Sequence, residues 1–226
     1  NGEGKSTFMS IITNKLMPDE GKIEWAKNVR VGYLDQHAVL EKGMTIGSVL
    51  ASAFDFLYQQ EERMNEICAK MGDADEAQME QYMEELGVIQ DMLTMHDFYM
   101  IDAKVEEVAR ALGLLDLGLD RDVCELSGGQ RTKVLLGKLL LEKPDILLLD
   151  EPAAGMNPNE TKELMETIRF VRDKFDMTVL LIEHDMKLVS GICEELTVLN
   201  FGQVLAQGKT SDVLNNPEVI KAYLGE

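Results

Sequence analysis

The sequence predicts an α/β fold with a mostly parallel sheet, a small antiparallel element and a separate helical region. Ile146–Asp150 and Thr178–Ile182 are continuous apolar runs that suit buried strands, and residues 159–175 between them have helical spacing. Strand, helix and strand in this order predict a right-handed parallel crossover. A long acidic segment without proline, residues 55–125, has apolar residues at helical intervals and predicts the helical region.

Composition narrows the class of protein. The 226 residues are 45% hydrophobic and carry a net charge of −19, which predicts a packed domain and argues against a general nucleic-acid or anionic-membrane surface. Cys68, Cys124 and Cys193 form no C-x-x-C pair, so we expect neither a disulfide framework nor a zinc site, and a reducing, cytosolic compartment. No apolar run reaches the roughly 20 residues that span a bilayer. We therefore expect no direct membrane insertion.

The first fifty residues open on a glycine-rich loop. This loop leads into residues 8–16, which have helical spacing and are followed by Pro18 and Gly21. Residues 22–36 contain two short alternating patterns around Lys27-Asn28. They predict a small antiparallel element.

The acidic segment, residues 55–125, carries 19 acidic and 5 basic residues. Gly72-Asp73 and Gly87 are expected to break it into several helices, the last near residues 105–112. We interpret it as a solvated helical face over a Met-rich core and assign it no chemistry.

The last hundred residues have the sequence pattern of an α/β core. A helix at 134–141 ends before Pro144 and precedes the first buried strand. After the second strand, residues 195–200 and 203–206 predict a hairpin through Phe201-Gly202. Short helices should follow near Asp212 and over 217–224.

The opening loop has the chemistry of a phosphate-binding loop. Such a loop needs glycines so that backbone N–H groups converge on phosphate oxygens, a lysine for the β and γ phosphates and a hydroxyl for Mg²⁺. The full pattern is G-x-x-x-x-G-K-[ST], and its leading glycine would lie before residue 1, so we expect the loop to be truncated at its start. The candidate phosphate-binding residues are Asn1, Gly2, Glu3, Gly4, Lys5, Ser6 and Thr7.

A second glycine motif, Leu126-Ser127-Gly128-Gly129-Gln130, precedes a helix and supplies another anion-binding helix start. With both motifs in order, the chain resembles the ATP-binding cassette (ABC) family of P-loop NTPases, whose signature is L-S-G-G-Q. We call Ser127–Gln130 the signature loop. The resemblance covers essentially all of the chain.

The resemblance implies ATP and Mg²⁺ as ligands and ATP hydrolysis as the activity. Asp150 ends a buried strand and would hold Mg²⁺ together with Ser6 and Gln36, while Glu151 would activate the attacking water. His184 matches the family's switch histidine at the γ-phosphate. Gln36 matches the Q-loop glutamine, which touches Mg²⁺ and the water.

In the family the signature loop, Ser127, Gly128, Gly129 and Gln130, reaches the nucleotide of an opposite monomer. The resemblance thus implies a second ABC ATPase domain as partner, in a homodimer or heterodimer closed by ATP. We expect residues 1–226 to form a single ABC ATPase domain. Its nucleotide-binding core would be residues 1–50 and 127–226, and its acidic helical subdomain residues 51–126.

Different parts of the chain resemble two different subfamilies of the ABC family. Residues 1–152 resemble the ABC-F group of ribosome-associated ATPases, with Gly32-Tyr33-Leu34-Asp35-Gln36 and an acidic helical insert. Residues 153–226 resemble ATPase subunits of branched-chain amino acid importers, most clearly at 153–158 and 208–226. We therefore hypothesise a chimaera with its junction near Pro152. Asn157 stands where the family's D-loop usually has Asp.

Three functions remain open at this level. The leading one is the ATP-binding subunit of an ABC transporter, cytoplasmic or peripheral on the inner membrane face beneath transmembrane subunits. The second is a piece of an ABC-F type factor with the ribosome as partner. The third is a catalytically weak fragment.

Overall fold

The computed structural model describes residues 4–34 and 40–224. They fall into two compact units, each described by itself below. The sheet unit takes in residues 4–34, Ser127–Lys133 and 143–224, and the helical unit residues 40–126 and Val134–Glu142.

A three-stranded parallel sheet organises the sheet unit. Its strands are β1 (Val31–Leu34), β2 (Ile146–Asp150) and β3 (Thr178–Ile182), in the order β1-β2-β3. β2 is central, and its leucines 147–149 are almost fully buried, which explains why its sequence is a continuous apolar run. The predicted α/β class and parallel sheet are confirmed.

Several helices of the sheet unit begin at a residue whose side chain caps the helix. Asn157 caps α7 (Pro158–Phe175) and forms a capping box with Glu160. The apolar face of α7 buries Leu164, Ile168 and Val171, a spacing of four and three residues that lies along one stripe. The other helices are α1 (Lys5–Ile12), α6 (Gly128–Leu141, partly in each unit), α8 (Met186–Ile192), α9 (Thr210–Leu214) and α10 (Pro217–Val219), which continues as a π-helical turn, Ile220–Leu224.

The antiparallel element lies near the end of the chain. β4 (Glu195–Asn200) pairs with β5 (Gln203–Lys209) through Phe201 and Gly202, as the sequence predicts. Both turn residues have positive φ, 47° and 77°, the backbone that tight two-residue hairpins require.

The antiparallel element expected within residues 22–36 is wrong. Among the described residues, Ile23–Trp25 belong to no strand, and β1 pairs in parallel with β2. The side chain of Asp145, which precedes β2, accepts a hydrogen bond from the backbone N–H of Arg30 at 2.8 Å. This bond joins the two residues that directly precede β1 and β2. The partner of β1 is remote in sequence, and local alternation carries no information about it.

The helical unit consists of α2 (Ile46–Ala51), α3 (Asp55–Lys70), α4 (Glu76–Met95), α5 (Ile101–Ala111) and the second half of α6. A 3₁₀ turn, Met71–Asp73, separates α3 from α4 where the sequence predicts a break. Arg63 on α3 bridges to Glu85 on α4 at 2.7 Å, which ties the two helices together.

The break expected at Gly87 is wrong, because Gly87 lies inside α4. A helical glycine costs only about 1 kcal/mol relative to alanine. Burial of Ile89 and Leu93 on the same helix offsets that cost. Within the described ranges, no helix has the length and apolar content to cross a membrane.

Candidate active site

The described part of the phosphate-binding loop is the start of α1. Gly4 is its N-cap, in the left-handed conformation with φ 82°, which glycine adopts without steric cost. Lys5 is the first helical residue and is half-buried, and Thr7 is exposed. The first N–H groups of a helix lack intrahelical acceptors, so they are available to an anion at this end. Asn1, Gly2 and Glu3, and the side chain of Ser6, lie outside the described residues.

Asp150 ends β2 and is 6% exposed. The hydroxyl of Tyr33 on β1 donates to Oδ2 of Asp150 at 3.4 Å. Tyr33 pairs with Leu148, two residues before Asp150, so Tyr33 and Asp150 share one face of the sheet. Lys15 lies over the Tyr33 ring, with Nζ 4.6 Å from the ring centroid. The sequence analysis missed Tyr33, because its role depends on the β1–β2 register.

Glu151 turns the chain out of β2. Its backbone is left-handed, with φ 45°, and its N–H donates to the carbonyl of Ile182 at the end of β3, at 2.9 Å. Non-glycine residues adopt this conformation at a cost that neighbouring structure must offset. The side chain is 13% exposed, and its Oε1 lies 3.7 Å from Nδ1 of His184. The fold therefore brings together two residues that the sequence analysis selected separately.

Glu183 is a further acidic residue at this edge that the sequence analysis missed. Its side chain is 1% exposed, and Oε2 lies 3.7 Å from Nδ1 of His184. Oε1 accepts the N–H of Ala153 at 3.0 Å, and Oε2 accepts the N–H of His184 at 3.1 Å. One buried carboxylate thus joins the segment after Glu151 to the segment carrying His184. An acidic residue directly after an apolar strand was the available signal. The burial expected for that strand, β3, is wrong, because Leu180 is 40% exposed.

The signature loop begins α6. The N–H of Ser127 donates to Oε1 of Gln130 at 3.0 Å, and the N–H of Gln130 donates to Oγ of Ser127 at 3.4 Å. This reciprocal pair is a capping box. Gln130 is therefore engaged with the backbone of its own loop, and the helix that the sequence predicts after this loop is present.

Gln36 lies outside the described residues, and its predicted role stays a prediction.

Among the residues that are described, no three His, Cys, Asp or Glu side chains form a cluster able to hold a metal. Mg²⁺ is usually bound by one or two carboxylates together with substrate phosphates and waters. A single buried carboxylate, Asp150, at the end of a strand fits that mode of binding.

Two family profiles match this chain. The profile described as ABC transporter matches residues 1–154. The profile described as branched-chain amino acid ATP-binding cassette transporter matches residues 203–226.

Curated relatives include a branched-chain amino acid transport protein and a translational throttle protein. The chain is 59% identical over 192 residues to the ABC transporter ATP-binding protein YfmM of Bacillus subtilis, covering 85% of this chain and 36% of YfmM. It is 48% identical over 115 residues to LivG of Salmonella typhimurium, a high-affinity branched-chain amino acid transport ATP-binding protein, covering 51% and 45%. It is 32% identical over 203 residues to the energy-dependent translational throttle protein EttA of Escherichia coli, covering 90% and 35%. The chain spans less than half the length of these relatives.

A solved structure has the same fold. The ADP conformation of an ATP-binding cassette of an ABC transporter superposes with a TM-score of 0.66 at 26% identity, covering 100% of this chain and 85% of that one.

Proposed function

Because the chain belongs to the ABC transporter family of ATP-binding cassettes, we propose that it binds ATP with Mg²⁺ and hydrolyses it between two cassette domains. The observation that carries this proposal is the convergence of Asp150, Glu151 and His184 at one edge of the sheet. Glu183 and the left-handed backbone at Glu151 hold that edge in place.

In the proposed reaction, the oxygen of a water molecule attacks the γ-phosphorus and the bond to the β–γ bridging oxygen breaks. Glu151 takes the proton of the water, and ADP and phosphate leave. Lys5 and the N-terminus of α1 hold the phosphates. His184, whose Nδ1 is 3.7 Å from the Glu151 carboxylate, orients that carboxylate and contacts the γ-phosphate.

Mg²⁺, when bound, neutralises charge on the β and γ phosphates. We assign Ser6, Gln36 and Asp150 as the residues that hold it. The Tyr33 hydroxyl, which donates to Oδ2 of Asp150, supports this assignment because it fixes the orientation of the carboxylate.

The proposed partners are a second ABC domain, bound through Ser127–Gln130, and the transmembrane subunits of a transporter. The match of residues 203–226 to the branched-chain amino acid cassette profile supports transport. Residues 1–226 would form one ABC ATPase domain, cytoplasmic or peripheral on the membrane. Its core would be 1–50 and 127–226, and its helical subdomain 51–126, whereas residues 40–50 and 134–142 pack with the helical unit.

A second candidate is a ribosome-associated function of the ABC-F type. The 32% identity to EttA over 203 residues favours it, as does the acidic helical pair α3 and α4. Co-sedimentation of the Glu151→Gln protein with ribosomes in the presence of ATP tests the ABC-F function against the transport function. Retention on ribosomes supports the ABC-F function, and its absence argues against that function.

A chimaera with its junction near Pro152 would explain this mixture. Support comes from the separate profile matches at 1–154 and 203–226. The tryptic peptide of residues 139–162 crosses the proposed junction, so mass spectrometry of the protein from its source tests whether the two halves are one chain.

The proposed ATPase function is tested by calorimetric titration of ATP and Mg²⁺ and by phosphate release. Lys5→Ala should abolish binding or turnover, because it leaves phosphate charge uncompensated. Lys22→Ala is the matched control, since Lys22 is exposed and pairs with Glu24 at 2.7 Å. Equal ATP affinity and turnover in the parent, Lys5→Ala and Lys22→Ala would overturn the assignment of Lys5.

A further inference from the structure

The carboxylate of Glu160 lies on the signature loop of its own chain. A Cβ built on Gly129 would lie 3.3 Å from Cβ and 3.4 Å from Cγ of Glu160, so the Glu160 side chain packs directly on that glycine. The carboxylate carbon of Glu160 lies 3.7 Å from the same Cβ position, so the carboxylate lies beside the first residues of the loop. An anion of the same chain thus lies beside the donors of the signature loop.

Asn157 holds the Glu160 carboxylate in this position. Its backbone N–H and its Nδ2 donate to Oε2 of Glu160 at 3.1 Å and 2.9 Å. An aspartate at position 157 has no side-chain donor at neutral pH and would repel the carboxylate. Asn157, which stands in place of the usual D-loop aspartate, therefore makes the position of Glu160 favourable.

Glu160 is anionic at neutral pH. The hydrogen bond from Ser127 and those from the N–H groups of Asn157 and Gly129 lower the pKa of its carboxyl. Hydrogen bonds to the charged form favour that form.

A carboxylate beside these donors affects the binding of a nucleotide phosphate there. The hydroxyl of Ser127 has one proton, and Gly129 has one N–H, so a donor directed at Glu160 is not directed at a phosphate. A carboxylate and a phosphate brought to the same donors also repel each other. The two anions therefore exclude each other at this loop.

We propose that Glu160 is a built-in competitor that occupies the signature loop of the separate chain and leaves it when the nucleotide of a second cassette binds there. The inference rests on the proposed function in one respect, that the signature loop takes the phosphate of a second cassette. Glu160 thereby weakens the ATP-closed dimer and favours its reopening. It acts through the donors of Ser127 and Gly129 and takes no part in the chemical step.

The first test measures the dimer. In the Glu151→Gln background, sedimentation velocity with ATP and Mg²⁺ gives the dissociation constant of the ATP-closed dimer. Glu160→Ala should tighten it by about fivefold or more, because a charged acceptor is removed from the donors. Glu160→Gln should tighten it less, since a neutral amide oxygen is a weaker competitor.

Glu163→Gln is the matched control for that experiment. Glu163 is on the same helix and pairs with Lys133 of α6 at 3.1 Å, so the substitution removes the same charge from the same helix pair without touching the signature loop. Its dimer should have the parental dissociation constant. An unchanged or weaker dimer in both Glu160 variants would overturn the proposal.

The second test needs no dimer and no ATP. Inorganic phosphate is titrated into the ¹⁵N-labelled chain, and the amide signals of Ser127, Gly128 and Gly129 are followed by NMR. Phosphate should shift these signals at lower concentration in Glu160→Ala than in the parent or in Glu163→Gln. Equal titrations would overturn the proposal. If neither the parent nor any variant forms an ATP-closed dimer, the proposed function fails, and the phosphate titration still decides the role of Glu160.

Discussion

Oε1 of Glu151 lies 3.7 Å from Nδ1 of His184, at the point where β2 and β3 end. The two residues follow neighbouring parallel strands, whose carboxyl ends meet at one edge of the sheet. The backbone hydrogen bond from Glu151 to Ile182 fixes the distance between the two segments. A carboxylate and an imidazole held in this way are suited to proton transfer, which is the role proposed for Glu151.

Replacing Glu151 with glutamine should block hydrolysis and leave ATP binding intact. Glutamine keeps the shape of the side chain and loses the base, so turnover should fall by about a hundredfold or more. Phosphate release and calorimetric titration of ATP measure the two effects separately. Glu166→Gln, at an exposed position of α7, is the control. Hydrolysis at the parental rate in Glu151→Gln would show that Glu151 is not the base.

Glu183→Gln should lower both stability and turnover. The Glu183 carboxylate offers one oxygen to the N–H of Ala153 and the other to the N–H of His184. An amide has one acceptor oxygen, so one of the two N–H groups loses its partner. The N–H of Ala153 is partly buried, and leaving it unpaired costs up to about 1–3 kcal/mol in the free energy of unfolding. The displaced loop should lower kcat more than it raises KM, because binding of the phosphates depends on other residues.

Urea unfolding and ATPase kinetics at 25 °C check this expectation. Glu194→Gln is the control, since that carboxylate is 84% exposed. A Glu183→Gln protein with parental stability and parental kcat would show that Glu183 does not support the candidate active site.

Alanine should have opposite effects at two helical glycines of the helical unit. At Gly87, no heavy atom of the described residues lies within 4 Å of the new Cβ, so alanine should stabilise the chain by about 0.5–1 kcal/mol. At Gly137 the Cβ would lie 2.8 Å from Cδ2 of Leu50 and 3.1 Å from Cδ1 of Leu112. Overpacking there costs about 1–3 kcal/mol and outweighs the gain in helix propensity. Urea midpoints of Gly87→Ala and Gly137→Ala should therefore lie on opposite sides of the parental value, and a shift of both in one direction would contradict the packing argument.

Asp122 should make the stability of the helical unit depend on pH in the acid range. The backbone N–H groups of Cys124 and Gly43 each donate to its carboxylate at 2.8 Å and lower its pKa. The folded state therefore favours the charged form. Its contribution is fully present above the ordinary aspartate pKa of about 4 and is lost as pH falls through the lower folded value.

The measurement is the difference in unfolding free energy between the parent and Asp122→Asn, determined in urea at several pH values. The difference should be large at pH 7 and should shrink below about pH 4. Asp116→Asn, at an exposed position, should show no such trend. A difference that is independent of pH would mean that the charge of Asp122 is not what stabilises the segment.

Local pattern in the sequence determined much of the architecture. The apolar runs of β2 and β3 and the turn at Phe201-Gly202 each occupy the positions that their patterns predict. These features depend on burial and backbone preference within a few residues, which the sequence contains. Family resemblance, carried by the two glycine motifs, selected Lys5, Glu151 and His184 as candidates.

Tertiary structure alone decided which residues contact one another across the fold. The pairing of β1 with β2, the hydrogen bond from Tyr33 to Asp150 and the buried Glu183 all join segments far apart in the chain. The position of Glu160 on the signature loop is of the same kind. Hydrogen bonds act over about 3 Å, whereas their partners here lie about thirty or more residues apart in sequence. Only the packing of the strands and helices specifies such contacts, because periodicity and motif spacing describe each segment by itself.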